Sequence, residues 1–265
     1  MIHSQLVKLM RIGQIVPSSN TTMETEIPAM FRAREGIEPE RFTFHSSRMR
    51  MKKVTKEELA AMDRDSDRCA LELSDARVDV LGYACLVAIM SMGKGYHRES
   101  ETRLHRVTRQ NDAAAPVVTS AGALIHGLKT LGAKKISVIA PYMKPLTNMV
   151  CEYIEAEGFT VHDRVALEIE DNCEVGARDP MELVNIYPRV DIKGVDALVL
   201  SACVQMPSLE AIPVVEKKVG IPVLSAAVST TFQMLQKMNL KTVAPNGGAL
   251  LSGRYGSTPQ SEAAE

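Results

Sequence analysis

Two short stretches of the sequence share one pattern: Val-Asp, an aliphatic run, and then Ala-Cys. They are VDVLGYACLV (78–87) and VDALVLSACVQ (195–205), and they place Cys85 and Cys203 at corresponding positions. A thiol acts as a nucleophile or base only as its thiolate, and its ordinary pKa is about 8.5. Two facing thiols suit a reaction in which one attacks or removes a proton while the other donates one. The plain alternative is two buried cysteines without chemistry, and their paired placement argues against it.

Composition and charge exclude several classes of protein. The chain has 265 residues, 45% of them hydrophobic and 24% charged, with a formal net charge of −1. These values are ordinary for a globular protein, and the missing basic excess argues against nucleic acid as a partner. We find no apolar run long enough to span a membrane and no signal peptide, which predicts a cytoplasmic protein. Five cysteines without a CxxC pair, and six scattered histidines, argue against a disulfide scaffold and a metal site.

Short aliphatic runs alternate with longer amphipathic stretches, which is typical of an α/β protein with parallel strands. The stretch 55–76 has apolar residues at three- and four-residue steps, and 120–132 begins with a serine cap and ends on Gly132, so both predict helices. Cys69 falls on the apolar stripe of the first helix and is expected in the core. The predicted strands are 11–16, 42–46, 78–84, 116–119, 135–140, 160–167, 195–202 and 221–225.

The series of elements repeats once along the chain. RIGQIVP (11–17) matches KISVIAP (135–141), and the two Ala-Cys strands follow in the same order. We therefore predict two pseudosymmetric α/β domains, each a roughly four-stranded parallel sheet flanked by helices, with an active site in the interdomain cleft. The predicted boundaries are residues 1–119 plus 226–250 for the first half-domain, 120–225 for the second, and 251–265 for a flexible tail.

Ligands of open parallel sheets sit beyond the carboxyl ends of the strands. SSNTT (18–22) follows the first strand, and its residue types cap helices or offer neutral donors to an anion. Asn20 is the best candidate donor there, because its amide binds a carboxylate without adding a charge. Tyr142 is either an aromatic at the core edge or a phenolic donor, and Asn172 is either a turn residue or a donor to the ligand.

The segments after the two cysteines are also expected to contribute to the site. Those beginning at Leu86 and Val204 would present backbone N–H groups from a helix N-terminus, which lower a thiol pKa and hold a carboxylate. The long connection 86–110 must contain helix, and its Gly93–Gly95 portion is a candidate for movement.

Five motifs together resemble the maleate cis–trans isomerases, which belong to the aspartate/glutamate racemase superfamily. The resemblance covers about residues 10–240, and the pairing of two cysteine motifs with SSNTTME favours the isomerases over the racemases. Residues 244–265 look like a disordered extension. The motifs are VPSSNTTMETE (16–26), YACLVAIMSMG (83–93), APYMKPLTN (140–148), EDNCEVG (170–176) and SACVQMPS (201–208).

The resemblance implies a reaction without a cofactor. Cys85 would add to an alkene carbon of maleate, and Cys203 would protonate the neighbouring carbon. The resulting succinyl thioether has a single bond that rotates, after which Cys203 takes a proton back and fumarate leaves. The resemblance implies that the two carboxylates are held by Asn20, Tyr142, Asn172 and the backbone of Leu86, Val87 and Val204.

Three other functions use the same features. An aspartate or glutamate racemase would exchange a Cα proton with both thiols but needs a group for the substrate ammonium. An arylmalonate-type decarboxylase needs only one of the cysteines. A two-lobed binding protein for small diacids would do no chemistry. For the isomerase we expect a small dicarboxylate as the partner, no nucleic acid or membrane, and a homodimer or higher homo-oligomer.

Overall fold

Eight strands form two separate four-stranded sheets in the computed structural model, which describes residues 8–255. Most of the strands are rich in Val, Ile, Leu and Ala and are buried on both faces, as expected for parallel strands covered by helices, whereas the edge strands 41–49 and 160–166 are more polar and only partly buried. The strands are β1 (Leu9–Pro17), β2 (Arg41–Met49), β3 (Val80–Tyr83), β4 (Val117–Thr119), β5 (Lys135–Ala140), β6 (Thr160–Ala166), β7 (Ala197–Ser201) and β8 (Val223–Ser225).

In the described part of the chain, ten α-helices connect and cover the strands. Within residues 8–255, no helix is both long enough and apolar enough to cross a membrane. Short 3-10 turns lie at 180–182, 187–189 and 249–251. The helices are α1 (Met23–Arg34), α2 (Lys56–Asp75), α3 (Leu86–Ser91), α4 (Tyr96–Gln110), α5 (Ser120–Thr130), α6 (Lys144–Ala156), α7 (Asn172–Gly176), α8 (Leu183–Ile186), α9 (Ala211–Val219) and α10 (Ala226–Lys237).

The two sheets have the same topology. Their strand orders are β2-β1-β3-β4 and β6-β5-β7-β8, and every neighbouring pair is parallel. β1 and β5 therefore hold equivalent central positions, and so do β3 and β7, which precede the two cysteines. The predicted fold class is confirmed.

The repeated Val-Asp pair has a structural role at the start of β3 and β7. The carboxylate of Asp79 accepts the backbone N–H of Arg11 at 2.6 Å, and that of Asp196 accepts the N–H groups of Lys134 and Lys135 at 2.8 Å. Each aspartate thus binds the neighbouring central strand where that strand begins. Because the strands are parallel, this contact sets the register that brings their carboxyl ends together.

The last long helix returns to the first sheet. α10 packs against α1, β3 and β4, and also against α5, its counterpart in the other half. This packing supports the division into 1–119 plus 226–250 and 120–225, which we retain as a proposal.

The expectation of a disordered extension from residue 244 does not hold for its first part. Val243 and Ser252 pair across a turn, and Leu250 and Leu251 are buried. Leu250 lies against Gly127 of α5, so the apolar pair Leu250–Leu251 is part of the core. Residues 256–265 of the predicted tail lie outside the described part of the chain.

We predict that Asp196→Ala lowers the melting temperature by a few degrees at neutral pH, because two strand N–H groups lose their acceptor. Asp196→Asn keeps an acceptor oxygen and serves as the matched control. The N–H groups of Lys135 and Lys134 lower the pKa of Asp196 below its ordinary 3.8. The advantage of wild type over Asp196→Ala should therefore be complete above pH 3.8 and become smaller as the pH falls through the lowered pKa of the folded state, where the neutral carboxyl group accepts these bonds more weakly. Equal thermal unfolding of both variants at neutral pH would contradict this role.

Candidate active site

Cys85 and Cys203 line one small cavity between the two halves of the chain. The cavity has a volume of about 20 Å³, which is room for about one water molecule. The carboxyl ends of β3 and β7 supply the cysteines, as the repeat predicted. The lining residues are Met51, Val54, Cys85, Leu86, Val87, Tyr142, Asn172, Cys203, Val204 and Gln205.

Cys85 occupies an unusual backbone position. It lies directly before α3 with φ 94° and ψ 72°, in a left-handed conformation that non-glycine residues seldom adopt. Strain of this kind costs about 1–3 kcal/mol and concentrates at functional sites. The side chain is only half-buried, whereas Cys203 is 5% exposed. Cys85 is thus the less buried of the two residues.

Cys203 lies in a turn rather than at the start of a helix. The next helix, α9, begins eight residues later at Ala211, so the expected helix N-terminus at Val204 is wrong. The turn is held instead by the hydroxyl of Ser201, which donates to the carbonyls of Cys203 and Met206 at 2.9 and 3.2 Å. This arrangement directs the backbone N–H groups of Gln205 and Met206 at the Cys203 sulfur.

The two thiols have different electrostatic surroundings. Burial raises the pKa of Cys85 to about 12, and one hydrogen bond, from the N–H of Ala88, opposes the shift. Burial also raises the pKa of Cys203, but three donors oppose it: the hydroxyl of Tyr142 and the two N–H groups of the turn. Burial and the neighbouring sulfurs raise the pKa of Tyr142 well above its usual value, so its phenol remains a neutral donor. Of the two sulfurs, Cys203 is better able to hold a negative charge.

Most of the predicted substrate-binding residues meet at this cavity. Tyr142 follows β5, Leu86 and Val87 begin α3, and Val204 follows Cys203. Asn172 begins α7, and its amide nitrogen donates to the hydroxyl of Ser19 at 2.9 Å.

Asn20 is not among the lining residues. Its side-chain oxygen accepts the N–H groups of Thr22 and Met23, both at 2.9 Å, and so caps the start of α1. Its carbonyl oxygen accepts a hydrogen bond from Arg48. Asn20 is 3% exposed and lies in the segment that is hydrogen-bonded to two lining residues, Asn172 and Gln205. Its capping role, which the residue types also allowed, is present, and binding of a carboxylate through its amide nitrogen stays a prediction.

Three lining residues escaped the sequence-based reasoning. Met51 and Val54 belong to the connection between β2 and α2, and no motif marked them. Gln205 lies within the quoted SACVQMPS motif, and the signal that could have revealed it is a polar residue directly after a buried strand. The cavity is thus covered by residues 51–54, whereas Gly93–Gly95, the segment expected to move, is not among its lining residues.

A larger cavity lies on the outer side of this cover. Its volume is about 760 Å³, and it shares Val54 and Tyr142 with the inner cavity. The two residues therefore form part of the wall between the inner site and the outer cavity. Lys52 and Lys53 lie at the outer cavity.

The inner cavity is lined without fixed charges. No lysine, arginine, aspartate or glutamate is among its lining residues, and Lys144 lies outside it, paired with Glu168 at 3.2 Å. Within residues 8–255, no group of three or more His, Cys, Asp or Glu side chains is arranged to hold a metal ion. Neutral donors and the two sulfurs are the polar groups of this site.

Comparisons with known proteins agree on one family. The sequence model of the arylmalonate decarboxylase family matches residues 12–251. Maleate isomerase of Geobacillus stearothermophilus is 64% identical over 251 residues, which cover 94% of this chain and all of the relative. The structure of a variant of maleate isomerase Iso from Pseudomonas putida S16 with maleate superposes with a TM-score of 0.92 at 65% identity, covering 94% of this chain and 99% of that one.

A third comparison includes a covalent state. The structure of a variant of Nocardia farcinica maleate cis–trans isomerase holds a covalently bound succinylcysteine intermediate. It has a TM-score of 0.88 at 44% identity and covers 92% of this chain and 98% of its own.

We predict that alkylation of Cys85 by the neutral reagent iodoacetamide speeds up about tenfold per pH unit between about pH 7 and pH 10, without a plateau near 8.5. The reason is the raised pKa of about 12, which leaves the thiolate fraction increasing over the whole range. Peptide mass spectrometry measures the rate, in a Cys173→Ser background because Cys173 is exposed and reacts as well. A rate that levels off below pH 9 would show that the resting thiol is not held neutral by burial.

Proposed function

The chain belongs to the maleate isomerases of the arylmalonate decarboxylase family and catalyses cis–trans isomerisation of maleate to fumarate, and we propose that Cys85 and Cys203 are the two residues that react. One observation carries this assignment: two sulfurs, supplied by equivalent strand ends, line a single cavity without fixed charges. The chemistry agrees with the residue types, because a soft thiolate adds readily to the electron-poor double bond of a conjugated diacid.

Substrate entry requires the inner cavity to enlarge. A volume of about 20 Å³ is far too small for a four-carbon diacid. Val54 and Tyr142 separate it from the outer cavity, and Tyr142 directly follows a central strand. We therefore assign the movement to residues 51–54, in a connection without regular secondary structure.

One thiol has to be ionised before addition begins. Three donors surround the Cys203 sulfur and one approaches that of Cys85, so the first proton passes from Cys203 to solvent. As maleate settles in the cavity, the Cys203 thiolate takes the proton of Cys85. Cys85 becomes the nucleophile, and Cys203 becomes the thiol that delivers a proton to carbon.

The covalent steps then balance without a cofactor. The Cys85 thiolate forms a bond to one alkene carbon while the other receives the proton of Cys203. The product is a succinyl thioether, and its central bond, now single, rotates. Cys203 takes a proton from the carbon that had received one, the double bond reforms, and Cys85 departs as a thiolate with fumarate as the product.

Neutral groups are the proposed ligands of the two carboxylates. The phenol of Tyr142, the amides of Asn172 and Asn20, and the backbone N–H groups of residues 86–87 and 204 supply donors without a titrating charge. A buried salt bridge would hold the product as firmly as the substrate, and neutral donors avoid that cost to release.

The racemase alternative is disfavoured by the composition of the cavity. An amino-acid substrate carries an ammonium group, and no acidic side chain lines the inner cavity to receive it. A decarboxylase of the arylmalonate type needs one cysteine, and here two are brought together. A binding protein needs neither the strained backbone at Cys85 nor the donors at Cys203.

The proposals for the oligomeric state and the cellular location rest on the sequence alone. We propose a cytoplasmic homodimer or higher homo-oligomer. Light scattering coupled to size-exclusion chromatography measures the assembly directly, and a single-chain mass would overturn that part of the proposal.

We predict that wild-type protein converts maleate to fumarate, followed by proton NMR, and that Cys85→Ala lowers kcat/KM by at least about 10³-fold. Cys203→Ser should accumulate a covalent adduct of one maleate on Cys85, detectable by intact-mass spectrometry, because a hydroxyl takes the proton back from carbon far more slowly than a thiolate does. Cys173→Ser is the control and should retain wild-type rates, since Cys173 is exposed and outside the cavity.

Other outcomes identify the alternatives. Unchanged maleate together with Cα proton exchange of aspartate would favour the racemase, and release of carbon dioxide from an arylmalonate would favour the decarboxylase. Thermal stabilisation by a diacid without any turnover would favour the binding protein. Substantial activity in Cys85→Ala would show that Cys85 is not the nucleophile.

A further inference from the structure

Gln205 connects three separate segments of the chain around the active site. Its side-chain oxygen accepts the backbone N–H of Thr21 at 2.8 Å. Its amide nitrogen donates to the carbonyl of Ser19 at 3.1 Å and to that of Asn172 at 2.6 Å. Its own carbonyl accepts the hydroxyl of Thr22 at 2.7 Å. The residue that follows Cys203 by two positions is thereby fixed both to the loop after β1 and to the start of α7.

The amide of Gln205 has no donor left for a substrate. Both hydrogens of its nitrogen point at backbone carbonyls, and the residue is 3% exposed. Gln205 also donates its backbone N–H toward the Cys203 sulfur. Its position is therefore coupled to the proton-transferring thiol on one side and to two candidate carboxylate-binding segments on the other.

The packing around this amide leaves no free space. A Cβ atom built on Gly176 of α7 would lie 2.4 Å from the amide nitrogen of Gln205 and 2.5 Å from the hydroxyl oxygen of Thr21. Both distances are well inside van der Waals contact. Glycine at 176 thus lets α7 approach closely enough for Gln205 to reach Asn172.

We propose that Gln205 is a positioning residue that sets the distance of the Ser19–Thr21 segment and of Asn172 from Cys203. Its side chain acts through the groups it holds and does not touch the reacting atoms. The inference rests on the proposed function, because those groups are assigned there to the substrate carboxylates.

A second contact keeps the two halves together without Gln205. The carboxylate of Glu26, on α1, accepts the backbone N–H groups of Ser208 and Leu209, the latter at 2.6 Å. This contact anchors the same segment after Cys203 to the helix that follows the Ser19–Thr22 loop. Loss of the Gln205 hydrogen bonds should therefore loosen the site without unfolding the protein.

The first test replaces Gln205 with an apolar residue of similar length. Gln205→Met should raise the KM for maleate about tenfold or more and change kcat by less than about threefold, because carboxylate contacts are made in the ground state and in the transition state alike. Thermal stabilisation by succinate should weaken in parallel, and this readout needs no turnover. A wild-type KM together with wild-type succinate binding would overturn the proposal, whatever the change in melting temperature.

The second test uses the charge of a near-isosteric residue. Gln205→Glu keeps the acceptor for Thr21 but turns carboxylate oxygens toward the carbonyls of Ser19 and Asn172. A buried carboxyl group has a raised pKa, and once protonated it donates one of the two lost hydrogen bonds. The kcat/KM of Gln205→Glu relative to wild type should therefore recover as the pH falls from about 8 to 6. A ratio that does not change with pH would contradict a role through these hydrogen bonds.

The third test keeps glutamine at position 205 but displaces its side chain. Gly176→Ala forces its amide away from Asn172 and should raise KM as Gln205→Met does. Gly36→Ala is the matched control, because a Cβ there meets only one atom, at 3.4 Å, and the site is remote from the cavity. Equal kinetics for both glycine variants would overturn the proposal. If wild type forms no fumarate, the proposed function fails instead, and the succinate measurements on all variants still decide whether Gln205 positions a dicarboxylate site.

Discussion

A negatively charged sulfur and a doubly charged substrate have to occupy the same buried cavity, and this electrostatic conflict constrains the whole site. Two unit charges of the same sign at 4 Å repel by about 4 kcal/mol at an effective dielectric constant of 20. A fixed lysine or arginine would offset the repulsion but would also hold the product. The cavity instead has neutral donors around a sulfur: the phenol of Tyr142 and two backbone N–H groups at Cys203. Burial raises the pKa of both thiols and keeps them largely protonated at rest, while these donors offset part of the cost when charge develops on Cys203.

The duplicated fold supplies two equivalent sulfurs, and the loops after the strands make them different. Cys85 and Cys203 end corresponding strands of sheets with the same order. A left-handed residue followed at once by a helix leaves Cys85 half-buried with one donor. A turn tied by Ser201 leaves Cys203 buried with three donors. A nucleophile has to reach a carbon atom and depart again, whereas a proton carrier works best when held still. The two backbones therefore fit the two roles that the reaction requires.

The sequence allowed the strands, the fold class and the convergence of the cysteines to be predicted, because these depend on local hydrophobic pattern and on the repeat. Strand ends such as β5 and β7 were predicted to within a few residues. The cover formed by Met51 and Val54 could not be predicted, because its contacts depend on how the two sheets face each other. The same holds for Gln205, whose partners at Ser19 and Asn172 lie 186 and 33 residues away. The prediction of a helix at Val204 was wrong because the repeat holds for the strands and does not extend to the loops that follow them.

The walls of the cavity differ in how firmly they are held. One wall, formed by the loop after β1, the start of α7 and the turn after Cys203, is joined by hydrogen bonds of buried side chains. Separating these groups without water would cost about 1–3 kcal/mol for each unsatisfied partner. Another wall is made by the apolar side chains of Met51 and Val54, whose displacement leaves no unsatisfied side-chain atom, although the backbone of Met51 is bonded to the hydroxyl of Ser18. A site that must admit a dianion and then exclude water needs one wall that is held firmly and one that can move. The polar network therefore keeps the geometry of the sulfurs constant, while the apolar cover is the part that can open.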